Sequence, residues 1–146
     1  MIKLCTACSG LNRIKDRSSH DAKCGHCSKP LNLGETVADV DVATLLHVVK
    51  NSPVPVLVDF WAPWCGPCVS FAPVYKDFSN KYAQDALFLK IDTEAHQDAG
   101  SSFNIRGIPT LVLFKEGKEH ARQSGAMPLA MLKQWVESQG VKLSVA

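Results

Sequence analysis

Along residues 41–51, DVATLLHVVKN, the apolar positions Val42, Leu45, Leu46 and Val49 recur at helical spacing, and Asp41 stands where an N-cap belongs. The pattern then changes. PVLVDFW, residues 55–61, is a continuous apolar run, as expected of a strand buried on both faces. Helical spacing returns after Cys68, with Phe71, Val74, Tyr75, Phe78 and Tyr82 on one side and Pro73 expected to kink the helix. ALFLKI (86–91) reads as a second strand and AHQDAGSSF (95–103) as a short helix. TLVLFKEGKEHARQSG (110–125) reads as a hairpin turning at Glu116-Gly117. PLAMLKQWVES (128–138) closes the pattern as a helix, with Pro128 near its first position, Leu129, Leu132, Trp135 and Val136 inward, and Gly140 as the stop. The order αβαβαββα predicts an α/β sheet with mostly parallel strands and one antiparallel edge.

Residues 1–34 show none of this. They hold no Phe, Trp or Tyr, the first aromatic residue being Phe60, and are rich in turn formers (CSGLN, RSSHD, SKPLNLG). So short a segment cannot bury enough apolar surface to offset its chain entropy, and it requires a staple to fold. The boundary is placed near Gly34, giving a small module over 1–34 and a domain over 35–146, in keeping with a chain of 146 residues. Hydrophobic content of 46% and charged content of 21% argue against disorder. No stretch of 18 apolar residues exists, so no membrane span is expected, and MIKLCTAC lacks the apolar run of a signal peptide. The expected compartment is therefore a reducing cytoplasm, where Cys-x-x-Cys pairs read as metal or redox chemistry. Net charge is +2. Lys3, Arg13, Lys15, Arg17, Lys23 and Lys29 against Asp16 and Asp21 give the first 34 residues +4 and the rest −2. That is a weak nucleic-acid signal, and with no aromatic residue there to stack on bases, nucleic acid is not an expected partner.

All six cysteines lie in Cys-x-x-Cys pairs. Cys5-x2-Cys8-x15-Cys24-x2-Cys27 has the spacing of a four-cysteine zinc site. Two residues between ligands let one tight turn aim both sulfurs at a single ion, and two such turns complete a tetrahedron. Gly10 and Gly25 would suit the backbone bends, and metal binding would supply the folding free energy the segment lacks. Two disulfides, or an oxidisable unstructured tail, are the alternatives. His20 and His26 are further possible ligands, but four cysteines already close the site, which makes it structural.

The remaining pair, Cys65 and Cys68 in WCGPC, lies between the end of a buried strand and the start of a helix. Unpaired N–H groups and the helix dipole favour an anionic thiolate there, so Cys65 is expected to have a lowered pKa and to sit exposed, with Cys68 facing inward. Asp59, inside the apolar run, is either a desolvated proton acceptor with a raised pKa or a strand-end carboxylate that reaches water. Lys90 in FLKID is either its partner or an edge lysine that snorkels. In GIPT, Pro109 either opens a strand in the ordinary way or follows a cis bond from Ile108.

VDFWAPWCGPC, the lysine of FLKID, IRGIPTLVLFKEGK and Gly125-Ala126, in this order and spacing over residues 36–140, resemble the thioredoxin family. With the two N-terminal pairs the chain is similar to that family's zinc-binding bacterial branch. The resemblance implies a central mixed sheet flanked by helices with a small zinc-ribbon-like module, and a protein-disulfide reductase. It implies Cys65 as nucleophile, Cys68 as resolving thiol, Asp59 as buried proton acceptor with Lys90 modulating it, and Pro109 as a cis proline. Trp64, Gly66, Pro67, Ile108, Gly125 and Ala126 would form the docking surface for disulfide-containing protein substrates. An NADPH-dependent thioredoxin reductase would restore the dithiol, and one structural zinc would be the sole cofactor. The alternatives are a disulfide oxidase or isomerase, a binding module in which the N-terminal segment grips nucleic acid or protein on a redox scaffold, and an oxidation-sensing zinc site.

Overall fold

The computed structural model describes residues 1–15 and 21–144. Two short strands, β1 (Ile2–Leu4) and β2 (Leu11–Arg13), pair antiparallel at the N-terminus. There follow β3 (Val37–Asp39), α1 (Val42–Asn51), β4 (Val56–Trp61), α2 (Gly66–Lys81), β5 (Leu87–Asp92), α3 (Gln97–Ser102), β6 (Thr110–Lys115), β7 (Lys118–Ser124) and α4 (Leu129–Ser138). The five strands from β3 onward form one mixed sheet in the order β3-β5-β4-β6-β7. One face packs against α1 and α3, through Leu45, Val48, Val49 and Ala99, and the other against α2 and α4, through Phe71, Tyr75, Phe78, Leu132 and Val136.

The local signals explain most of these boundaries. Asp41 caps α1 by accepting a hydrogen bond from the Thr44 N–H at 2.8 Å. At the hairpin, Glu116 (φ 53°) and Gly117 (φ 81°) both adopt the left-handed conformation that a two-residue hairpin turn requires. Pro128 is the N-cap of α4, one place earlier than expected, and α2 runs through Pro73 as a single element.

Two expectations are corrected. The sheet has an additional strand, β3, parallel to β5, and β6 and β7 are both antiparallel to their neighbours, so the sheet is not mostly parallel. The segment joining β5 to β6, residues 93–109, holds only the short α3 and does not cross the sheet to the end where β5 began, so β6 starts at the end where β5 finished and runs back beside β4.

The N-terminal segment also differs from its sequence reading. Its few aliphatic residues are not stranded, because Ile2 and Leu4 are buried in the same apolar cluster as Val40, Leu45, Val58 and Leu89. Lys3 Nζ donates to the Glu35 carbonyl, and the Ser9 and Thr44 hydroxyls lie 3.1 Å apart. Among the described residues, no helix is long and apolar enough to cross a membrane.

Candidate active site and metal centre

Strand β4 delivers the first site. Its last residues lead through Ala62 and Pro63 to Trp64 and Cys65, and Cys65 is the N-cap of α2. The Cys65 sulfur accepts a hydrogen bond from the Cys68 N–H at 3.2 Å, so it occupies the anion-favouring end of a 16-residue helix. Cys65 and Cys68 are joined as a disulfide, with their Cα atoms 5.2 Å apart. The expectation that Cys65 sits exposed is not met. In the disulfide it is only 5% exposed, against 1% for Cys68, because it packs with Ala62 and Cys68 under Trp61 and Ile108.

The loop before β6 closes over this pair. The Ile108–Pro109 bond is cis, the Ile108 carbonyl oxygen lies 3.7 Å from the Cys65 sulfur, and the Pro109 carbonyl accepts from the Gly125 N–H at 2.8 Å. Around the disulfide, Trp64 is 71% exposed. Gly66, Pro67, Gly125 and Ala126 are exposed, Ile108 is half-buried and Pro109 is buried.

Behind the pair lies Asp59, 3% exposed, its Oδ1 without a hydrogen-bond partner. Burial pushes its carboxyl up from the usual 3.8 to about 7, with the Lys90 charge opposing the shift. Asp59 therefore does not reach water as a strand-end carboxylate would. Beneath it the Tyr75 hydroxyl is committed to the Leu57 and Leu89 carbonyls, each at 2.8 Å. Lys90 is not a free edge lysine. Its ammonium pairs with Asp39 Oδ2 at 3.7 Å and lies 5.2 Å above the centre of the Trp61 ring. Asp39 and Trp61 belong to this environment and the sequence reading did not single them out. Trp61 showed only as the end of the apolar run 55–61, and Asp39 only as the polar residue of the short stretch Val37–Val40.

The N-terminal cysteines form a second centre. The four sulfurs of Cys5, Cys8, Cys24 and Cys27 lie within 4.8 Å of one another, with Cys5 to Cys27 at 3.7 Å and Cys8 to Cys24 at 3.6 Å. A zinc ion holding four thiolates at about 2.3 Å requires sulfurs about 3.8 Å apart, so this cluster is compatible with a zinc site. The two turns repeat one geometry. Cys5 N–H donates to the Gly10 carbonyl and Ser9 N–H to Cys5, while Cys24 N–H donates to Lys29 and Ser28 N–H to Cys24, all at 2.8–2.9 Å.

The left-handed residues of these turns are Ser9 (φ 63°) and Ser28 (φ 67°), not Gly10 and Gly25 as expected. Gly10 has a different role: a Cβ there would lie 2.6 Å from the His26 ring. That ring is placed by its Nε2, 3.2 Å from the Leu11 carbonyl, and packs against the first turn. His20, with Asp16 and Arg17, lies outside the described residues. Buried Asn12 ties the module together, accepting from the Gly25 N–H at 2.8 Å and directing its amide at the Cys24 sulfur at 3.5 Å.

Several known proteins are similar to this chain. The thioredoxin family model matches residues 36–138. Thioredoxin C-3 of Corynebacterium nephridii is 38% identical over 140 residues, covering 95% of each chain. Thioredoxin 1 of Nostoc sp. is 42% identical over 100 residues, 68% of this chain and 94% of that one. The solved structure of Malassezia sympodialis thioredoxin (Mala s 13) superposes with a TM-score of 0.63 at 29% identity, over 72% of this chain and 92% of that one.

Proposed function

The chain belongs to the thioredoxin family, and from that premise we propose that it reduces protein disulfides through Cys65 and Cys68, beside a structural zinc. Family members are thiol–disulfide oxidoreductases, and so is this chain. What supports the direction and the roles is the position of the disulfide at the N-terminus of α2, with a desolvated carboxylic acid behind it.

In the dithiol form, the Cys65 thiolate attacks one sulfur of a substrate disulfide. That bond breaks, a mixed disulfide forms, and one substrate thiolate leaves. The Cys68 thiol passes its proton to the Asp59 carboxylate, and its sulfur attacks the Cys65 sulfur. The mixed disulfide breaks and the second substrate thiolate leaves, so two electrons pass from Cys65 and Cys68 to the substrate. Trp64, Gly66, Pro67, Ile108, Gly125 and Ala126 offer the substrate a largely apolar surface around the disulfide, and Pro109 holds the loop that places Ile108. An NADPH-dependent thioredoxin reductase in the cytoplasm would return the pair to the dithiol.

With that reductase and NADPH, the chain is expected to reduce a disulfide-bonded protein catalytically. NADPH consumption no faster than with the reductase alone would sink this reading.

Cys5, Cys8, Cys24 and Cys27 would hold one zinc per chain, which when bound fixes the two turns of the module. Gly10→Ala is expected to weaken zinc retention in chelator competition, because the His26 ring must give up its place against the turn, at a cost of about 1–3 kcal/mol. Unchanged retention would show that the close packing at Gly10 does not support the site.

A further inference from the structure

Three ionisable side chains stand in one row across the sheet beside the redox pair. Asp39 on β3 is in register with Lys90 on β5, and Lys90 is in register with Asp59 on β4. In-register residues of neighbouring strands project from the same face, and here that face lines a cleft of about 630 Å³ that also reaches Cys68. The central ammonium therefore has two carboxyl groups to choose between. Its ion pair is with Asp39, at 3.7 Å. Among the described residues no ion pair joins it to Asp59, whose Oδ1 has no hydrogen-bond partner. The Trp61 ring, 5.2 Å from the ammonium, supports it in that position.

Resting on the reading of Asp59 as proton acceptor for Cys68, we propose that Asp39 is a positioning residue, whose carboxylate holds the Lys90 ammonium on the β3 side of the row and so leaves Asp59 free to take the proton. An ammonium seated on Asp59 would favour its ionised form and make it a weaker base. One held a strand-width away still lets Asp59 ionise when the Cys68 proton must be passed on. The other groups facing Asp59 do not take over this role. From α2 come Cys68, which is its proton donor, Tyr75, whose hydroxyl is committed to two carbonyls, and Lys76 on the rim of the cleft. Glu35 lines the cleft ahead of β3, and β6 sets the apolar Leu111 opposite Asp59. The Asp39–Lys90 pair is partly exposed, with side chains 66% and 32% accessible. Its loss therefore leaves the fold intact while changing where the charge rests.

The test is a carbon NMR titration of the Asp59 carboxyl in the reduced full-length protein, in four versions: unaltered, Asp39→Asn, Lys90→Gln and the double variant. Asp39→Asn is expected to lower the Asp59 midpoint by about half to one pH unit as Lys90 turns toward it. In the Lys90→Gln background the same substitution should move it less than half as far. The acid limb of the pH–rate profile for disulfide reduction should follow the midpoint. An Asp59 midpoint unmoved by Asp39→Asn, or moved as far without Lys90 as with it, overturns the proposal, whether or not the protein reduces disulfides. A midpoint that moves while the rate profile stays in place overturns instead the reading of Asp59 as acceptor, and with it any catalytic role for Asp39.

Discussion

Cys65→Ser is expected to lower disulfide-reductase turnover by about 10³-fold or more, whereas Cys68→Ser keeps the first attack and stops at the mixed disulfide. The asymmetry follows from the placement of the two sulfurs. Cys65 caps α2, accepts the Cys68 N–H, and lies beside the Ile108 carbonyl at the rim formed by the exposed Trp64, Gly66 and Pro67. Cys68 is 1% exposed and turned toward the interior, where it meets the cleft that leads to Asp59. In the proposed roles a substrate disulfide docks at that rim and meets Cys65, the slightly more open of the two buried sulfurs, first. A serine hydroxyl in place of Cys65 cannot supply a thiolate, so no covalent complex forms. With serine at Cys68 the complex forms and has no internal thiol to release it. Mixing each variant with a disulfide-bonded substrate and resolving the products without reductant, by gel and mass spectrometry, separates the two. Equal trapping by both would mean that either sulfur can attack and that the helix terminus does not choose between them.

Most of the fold was legible because its elements are long enough to show a period. The apolar run of β4 and the spaced aliphatics of α1 each extend over enough residues to declare a buried strand or a one-sided helix. β3 was not legible, since Val37, Ala38 and Asp39 give a single alternation and two of the three are only half-buried. The antiparallel entry of β6 depends on which end of the sheet the segment 93–109 leads to, and the hydrophobic pattern does not express that. Asp59 marked itself as a charge in an apolar run, but whether it was desolvated depended on tertiary packing, which leaves it 3% exposed and which the pattern does not express. Asp39 carried no such mark, because an aspartate ending a short polar stretch reads as a solvated residue until β3 is aligned with β5. In the N-terminal module the cysteine spacing was the whole signal. It placed the sulfurs together but assigned the tight turns to the glycines, where the structure uses Ser9 and Ser28 and reserves Gly10 for the His26 ring. Nor could it show Ile2 and Leu4 entering the core of the larger domain.

Asp59→Asn is expected to make the reduced protein more stable at pH 8, by about 2–3 kcal/mol, and less stable by about 1 kcal/mol near pH 4. Burial raises the Asp59 carboxyl to about 7 from the usual 3.8. Below pH 3.8 folded and unfolded chains both hold the proton, and this residue costs nothing through ionisation. Between 3.8 and 7 the unfolded chain releases the proton and the folded chain keeps it. Stability then falls with rising pH by about 1.4 kcal/mol per unit, to a total of about 4 kcal/mol. Above 7 both are ionised and the deficit stays constant. Asparagine fills the same space without ionising, and the desolvation of its own amide, about 1–2 kcal/mol, offsets part of the gain. Urea unfolding of both proteins with the cysteines kept reduced, at pH 4, 6 and 8, reads the difference directly. A stability gap that does not widen with pH would show that Asp59 is solvated in the folded state and cannot be the acceptor for Cys68. The same substitution should slow release of the mixed disulfide, because the proton on Cys68 then has no buried base to receive it. A gain in stability paired with a loss of turnover is the expected mark of a carboxyl group kept in an unfavourable environment for the proton it must take.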